Sequence, residues 1–288
     1  MTPVSIVGCG YTGLRLAQLL VARRCAVRGF ATRAASLAGI GTAGAAAVAL
    51  DLDRACAPID AAAQLVYYMA PPAPDGSGDP RLERCLDALL GTPQSIVYLS
   101  TTGVYGDLAG ARVDEDSPPR PGTARAIRRL AAEGALRAWA EARAVPWCIL
   151  RVAGIYGPGR LPLERLRRGE PAIAPDEARP TNRIHVADLV DACLAAGTSA
   201  RAANRVFNVA DGNDDSQTAF LLRVARIARL PPPPFVSRET ARRTFSPSVW
   251  SFLGESRRVD NRRLVEELGV RLRYADLDAG IRASLTGD

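Results

Sequence analysis

Apolar residues along the first half of the chain come in short runs separated by longer stretches with helical spacing. "VSIVG" (4–8) is a continuous apolar run ending in a turn residue, the pattern of a strand covered on both faces. "LRLAQLLVARR" (14–24) repeats Leu and Ala at intervals of three and four, which predicts a helix with one buried face. "CAVRGFAT" (25–32), "AAVALDL" (46–52), "QLVYYMA" (64–70) and "SIVYLST" (95–101) predict the second to fifth strands. "RLERCLDALLG" (81–91) and "RAIRRLAAEGALRAWAEAR" (125–143) predict helices, and "WCILRVAG" (147–154) a further strand. This alternation is that of an α/β protein with a doubly wound parallel sheet and crossover helices.

The pattern then loosens. Residues 157–180 are rich in Pro and Gly, and "RIHVADLVDACLAAG" (183–197) returns to strand-then-helix. "RVFNVAD" (205–211) predicts another strand and "TAFLLRVARIARL" (218–230) an amphipathic helix, which "PPPP" ends. "RRLVEELG" (262–269) predicts a short helix closed by glycine.

Composition narrows the classes. With 48% hydrophobic residues in 288, the chain can bury a full core. No apolar run approaches the roughly 20 residues that cross a bilayer, and "MTPVSIVGCG" lacks the features of a secretion signal. The expectation is a cytoplasmic protein. The six cysteines are scattered without a C-x-x-C pair, and there is one histidine, so reduced thiols are expected rather than disulfides or a metal site. The formal charge of +7 comes from 37 basic residues, every one of them Arg. Arginines interleaved with acids and without regular aromatics argue against a nucleic-acid face. With no lysine in the chain, no step here uses a lysine amine.

"VGCGYTG" sets Gly8, Gly10 and Gly13 in a G-x-G-x-x-G frame between a strand and a helix. Glycines there allow a tight turn, close approach of backbone to a pyrophosphate, and close packing of helix on strand. The helix start, Tyr11 and Thr12, offers amides to the anion. Sites for NAD usually place a carboxylate about 20 residues on, at the end of the second strand, for the ribose hydroxyls. Here that strand ends in Ala31, Thr32 and Arg33. A guanidinium pairs with a 2′-phosphate in a fork, so the expected coenzyme is NADP, with NAD as the alternative. Asp51 either approaches the adenine or caps the next turn.

These segments together resemble the extended short-chain dehydrogenase/reductase superfamily, the NAD-dependent epimerase/dehydratase group. The residues that carry the resemblance are "VGCGYTG", "YLSTTGVYG", "LRVAGIYGPGR", "RIHVADLV", "FNVADG" and "RRVDNRRLVEELG", in the family's order over nearly the whole chain. The resemblance implies a Rossmann-type dinucleotide-binding domain over 1–154, with 181–210 returning to it, and a smaller substrate lobe from 155–180 and 211–288. It makes Thr101, with Thr102 second, the hydroxyl that touches the reacting oxygen. It also places Ala70 and Pro71 beside the coenzyme, and Tyr156, Arg160, His185 and Arg258, with Arg151 and Arg257, in segments near the substrate or its phosphates.

The family expects Tyr-x-x-x-Lys on the helix between these motifs, with Glu four residues later. Aligned on Glu133, those positions hold Arg125 and Arg129. In the pair's usual work, the Lys charge lowers the Tyr pKa and the phenolate takes the proton as hydride leaves carbon. Arg129 retains a charge for the nicotinamide ribose, but a guanidinium at 125 is no base. The glycine loop also departs, with Val7 where extended members carry glycine. Both departures point to an atypical branch.

Tyr105 and Tyr156 are the remaining motif tyrosines, either packing beside the cleft or donating a proton. His185, the lone imidazole, is either a hydrogen-bonded structural residue or an acid-base group. Asp188 reads as a helix cap, and "DEDSPPRPG" (114–122) as a surface loop at the cleft rim. Three functions compete. One is an NAD(P)-dependent oxidoreductase or epimerase acting on a small or nucleotide-linked carbonyl or hydroxyl substrate with a non-standard proton donor. The second is an inactive NADP(H)-binding sensor or scaffold, and the third a non-redox binder of another nucleotide or metabolite. The expected partner is a small molecule, with neither nucleic acid nor membrane, and the chain is expected as a monomer or homodimer.

Overall fold

The computed structural model describes residues 2–286. Seven strands form one sheet: β1 (Val4–Val7), β2 (Val27–Ala31), β3 (Ala46–Ala49), β4 (Leu65–Tyr68), β5 (Ser95–Thr101), β6 (Trp147–Val152) and β7 (Arg205–Val209). Their order is β7–β6–β5–β4–β1–β2–β3, and every pairing is parallel. This is the doubly wound, Rossmann-type arrangement. The strand order reverses beside β1, and a crevice opens at the carboxyl ends there.

Helices α1 (Tyr11–Ala22), α2 (Ala34–Thr42), α3 (Pro80–Ala88) and α4 (Ala124–Glu141) follow their strands. Beyond them come α5 (Leu163–Arg167), α6 (Val186–Thr198), α7 (Gln217–Ala228), α8 (Arg238–Thr244), α9 (Pro247–Leu253) and α10 (Leu277–Thr286). Alternate side chains of the inner strands enter opposite cores, whereas β3, at the sheet edge, is largely exposed. In β5, Val97 and Leu99 join the layer under α1 and α6, while Ile96 and Tyr98 join the layer under α3 and α4. Burial on both faces explains the nearly unbroken apolar runs.

A separate apolar cluster joins Tyr156, Leu166 and Ala172 to α7 and α10. The sequence places all of 211–288 in a smaller lobe, and the packing divides that segment. Leu264, Leu268 and Val270 are buried in the main-sheet core, because their spacing turns all three toward it. The predicted helix there is one wide turn over Arg263–Glu267. All six cysteines are free thiols, and burial pushes Cys9 up to about 11. Among the described residues no helix is long and apolar enough to cross a membrane.

Candidate functional site

The groove at the switch point is built largely from backbone. Gly8 has φ +80°, and a Cβ on it would lie 2.4 Å from the Ala70 nitrogen, so only glycine fits. A Cβ on Gly13 would meet Ile6 Cγ2 at 3.1 Å, whereas one on Gly10 would find nothing nearer than 3.9 Å. The first turn of α1 has neither a side-chain cap nor an acidic residue. Its first amides therefore lack helical acceptors, beside the positive end of the helix dipole. An open backbone cradle of this kind fits a pyrophosphate.

A cavity of about 390 Å³ extends from this turn past Ala70 and Pro71 to Thr32, Arg33, Ser36 and Asp51. Thr32 Oγ1 donates to the Leu50 carbonyl at 3.0 Å. Arg33 is exposed at the end of β2, where it starts α2. The Asp51 carboxylate accepts from the Asp53 amide at 3.0 Å, holding the local turn, and the residue lines the cavity. The outer wall was not foreseen. Arg81 donates to both oxygens of Asp53 at 2.7 and 2.6 Å, holding that carboxyl below the usual range.

A second cavity, of about 330 Å³, lies at the carboxyl ends of β5 and β6, under the segment that leaves α9. The structure brings together in it Thr101, Thr102, Arg125, Arg129 and Arg160 from the expected set. Thr101 Oγ1 accepts from the Gly103 amide at 3.1 Å and starts a short turn there. Arg125 is exposed on the first turn of α4. Arg129 instead reaches inward, and its Nη1 donates to the carbonyls of Leu99 (2.8 Å) and Ala70 (3.3 Å) and to the Tyr98 hydroxyl (3.1 Å). It thereby bolts α4 to the strand ends that separate groove from cleft.

Of the neighbouring Arg257 and Arg258, both expected near the substrate, only Arg257 lines the cleft, and Glu255 was missed. Arg258 turns the other way, to the Gly110 carbonyl and, at 3.5 Å, to Asp214. Neighbouring residues of an extended segment point to opposite sides, which decides between them. Glu255 is the one carboxylate among the lining residues: its Oε2 meets Arg257 Nη1 at 3.0 Å, and its buried Oε1 has no hydrogen-bond partner among the described residues. Nothing in the local sequence marks it.

The other candidates are sealed away from this cleft. Tyr105 is fully buried, donating to Asn208 Oδ1 at 2.8 Å and accepting from Arg151 Nη1 at 3.0 Å. Arg151 binds both oxygens of Glu133 at 3.1 and 2.8 Å, and Ser100 Oγ, on the cleft wall, donates to Glu133 Oε1 at 2.5 Å. Burial raises the Tyr105 pKa against the pull of Arg151. Tyr156 packs edge-on to His185 and Phe220, and burial raises its pKa too.

His185 is buried as the cap of α6: Nδ1 accepts from the Ala187 amide at 3.2 Å, and Nε2 lies 3.3 Å from Ser284 Oγ. Burial pushes it down to about 4, so it is a neutral structural imidazole at pH 7. Asp188, expected to cap that helix, instead accepts from the amides of Arg273 (2.8 Å) and Tyr274 (3.1 Å), docking the tail. Nor is "DEDSPPRPG" wholly a surface loop. The Glu115 side chain is 3% exposed and accepts from the Asn208 amide at 2.7 Å, because that edge-strand donor needs a partner.

Residues 82–210 match the model of the NAD dependent epimerase/dehydratase family. Over 99% of both chains, this one is 30% identical to a functionally unknown conserved protein from Silicibacter pomeroyi DSS, with a TM-score of 0.83. The chain belongs to the NAD-dependent epimerase/dehydratase family. Protein YeeZ of Escherichia coli K12 is 29% identical over 96% of this family member and 97% of its own length. UDP-glucuronic acid 4-epimerase from Bacillus cereus, solved with UDP-glucuronic acid and NAD, shares the fold at TM-score 0.75 and 19% identity, covering 99% of this chain and 98% of its own.

Proposed function

We propose that this chain is an NAD(P)-dependent oxidoreductase or epimerase for a small or nucleotide-linked carbonyl or hydroxyl substrate, working without the family's tyrosine. The observation that carries the reading is the junction of groove and cleft. Arg129 lines the cleft and bonds the Ala70 carbonyl of the groove wall, which supports a dinucleotide lying in the groove with its far end beside Thr101. The coenzyme would supply a hydride acceptor or donor. Gly8, Gly10 and the amides of Tyr11 and Thr12 hold its pyrophosphate, and Arg129 its nicotinamide ribose. Thr101, with Thr102 beside it, positions the substrate oxygen.

NADP is the preferred coenzyme, with NAD as the alternative. Arg33 carries its charge at the end of β2, where NAD sites place a carboxylate. Proton transfer falls to Glu255, the one carboxylate among the cleft-lining residues, or to water. The hydroxyls there stay protonated and the guanidiniums stay charged. Relatives solved with NAD and UDP-sugars support a nucleotide-linked substrate as the first to try.

Melting curves with NADP and NAD test the coenzyme, and a larger stabilisation by NAD, or none by either, overturns the NADP assignment. NADPH consumption with a panel of nucleotide-linked ketosugars tests turnover. Tight coenzyme binding with no hydride transfer, even in the Arg125→Tyr, Arg129→Lys double variant, favours the sensor reading. Arg125 in the tyrosine position is the observation on its side.

A further inference from the structure

Tyr11, the first residue of α1, is gripped from two directions. The Arg15 guanidinium carbon lies 4.0 Å from its ring centroid, and that of Arg160, arriving from the loop after Tyr156, lies 3.8 Å away. The Tyr11 hydroxyl donates to the Pro158 carbonyl at 2.9 Å. The loop is seated closely enough that a Cβ on Gly157 would stand 2.7 Å from that hydroxyl. The segment 157–160 is thus strapped onto the helix start that follows the glycine turn.

This arrangement sets two cations where electrostatics disfavours them. Helix N-termini carry partial positive charge, so basic groups there are repelled and acids preferred. Yet the first turn of α1 has no acid, and Arg15 curls back toward it, donating to the Tyr11 carbonyl at 3.0 Å. Burial and the neighbouring Arg15 charge both act against the Arg160 guanidinium, and no carboxylate stands among the groups acting on it. An anion at the uncapped amides would relieve both repulsions at once. A guanidinium over a ring face is held by the ring and still has N–H groups to donate to an anion, of which Arg15 spends one on the Tyr11 carbonyl.

We propose that Arg160 and Arg15, held by Tyr11, form a side-chain clamp on the coenzyme pyrophosphate. Arg160 then belongs to the coenzyme, not to the substrate. The clamp rests on the coenzyme reading above, deepens it, and explains why the loop is strapped down. It also makes closure of the strap part of coenzyme retention.

Calorimetric titration with NADP, NAD and ADP-ribose tests it on the intact chain. ADP-ribose keeps the pyrophosphate and lacks the nicotinamide. Arg160→Gln is expected to weaken all three by about tenfold, with Arg160→Lys recovering part of the loss. Arg160 is exposed, so the variant is expected to melt like the parent without ligand. If Arg160→Gln leaves ADP-ribose binding within about twofold, the clamp is wrong. A loss confined to NADP and NAD moves Arg160 to the nicotinamide end and also overturns it. If the parent binds none of the three, the coenzyme reading itself falls and takes the clamp with it.

Discussion

The groove at the glycine turn and the cleft beside it are made from different materials. The groove is a backbone object: two short elements, a turn only glycine can make, and amides left open at a helix start. The cleft is a side-chain object, assembled from α4, the ends of β5 and β6, the loop at 157–160 and the segment after α9. A backbone object survives almost any change of neighbouring side chains. A side-chain object can lose a dyad and keep its shape, provided the layer behind it holds. Here that layer is the buried chain from Ser100 through Glu133, Arg151 and Tyr105 to Asn208.

Breaking the layer behind the cleft is expected to have the largest effect. Glu133→Ala leaves the buried Arg151 charge unpaired and is expected to cost about 3–5 kcal/mol, read by denaturant unfolding. An unchanged midpoint would show that the network does not support the cleft. Gly8→Ala puts a Cβ into the Ala70 backbone at positive φ, with an expected cost of about 2–4 kcal/mol. It should also remove any coenzyme-induced rise in melting temperature. Retention of that rise would mean the groove does not depend on its backbone turn.

The junction between the lobes offers a pH test. His185 is pushed from 6.5 to about 4 by burial, so below 6.5 the unfolded chain takes a proton the folded one refuses. Its contribution to stability is full above pH 6.5 and is lost as pH falls toward 4. Asp211, raised to about 7 by burial, works in the opposite direction, so the difference from a variant is the quantity to measure. Relative to His185→Gln, the parent should lose on the order of 2 kcal/mol across that window. Parallel melting curves for the two proteins would refute a sealed, neutral imidazole. The smallest effect separates coenzymes. Arg33→Ser should weaken NADP by about tenfold and leave NAD unchanged, and equal losses would remove Arg33 from the 2′-phosphate.

The groove was legible because its requirements are local. A strand, three glycines at fixed spacing and a helix lie within 25 residues, and Thr32 and Arg33 follow at the next strand end. The cleft was legible only where a motif marked it, at Thr101, Thr102, Arg125, Arg129 and Arg160. The Glu133–Arg151 pair left a trace that was not used: an arginine in the middle of "WCILRVAG" needs a buried acid somewhere. Glu255 and the Asp53–Arg81 wall left none, since each is an ordinary charged residue until the chain brings its partner near. Tyr105, Tyr156 and His185 sat in the right motifs and were still enclosed.

The sequence by itself determined the parallel sheet, the glycine turn and the arginines at 125 and 129. These follow from periodicity, φ preference and residue identity at fixed spacing, all short-range properties. Only the tertiary structure decided which tyrosines are sealed, which of Arg257 and Arg258 faces the cleft, and that Arg160 lies on Tyr11. Burial and charge pairing depend on residues far apart in the chain, and packing alone sets the side to which each side chain turns.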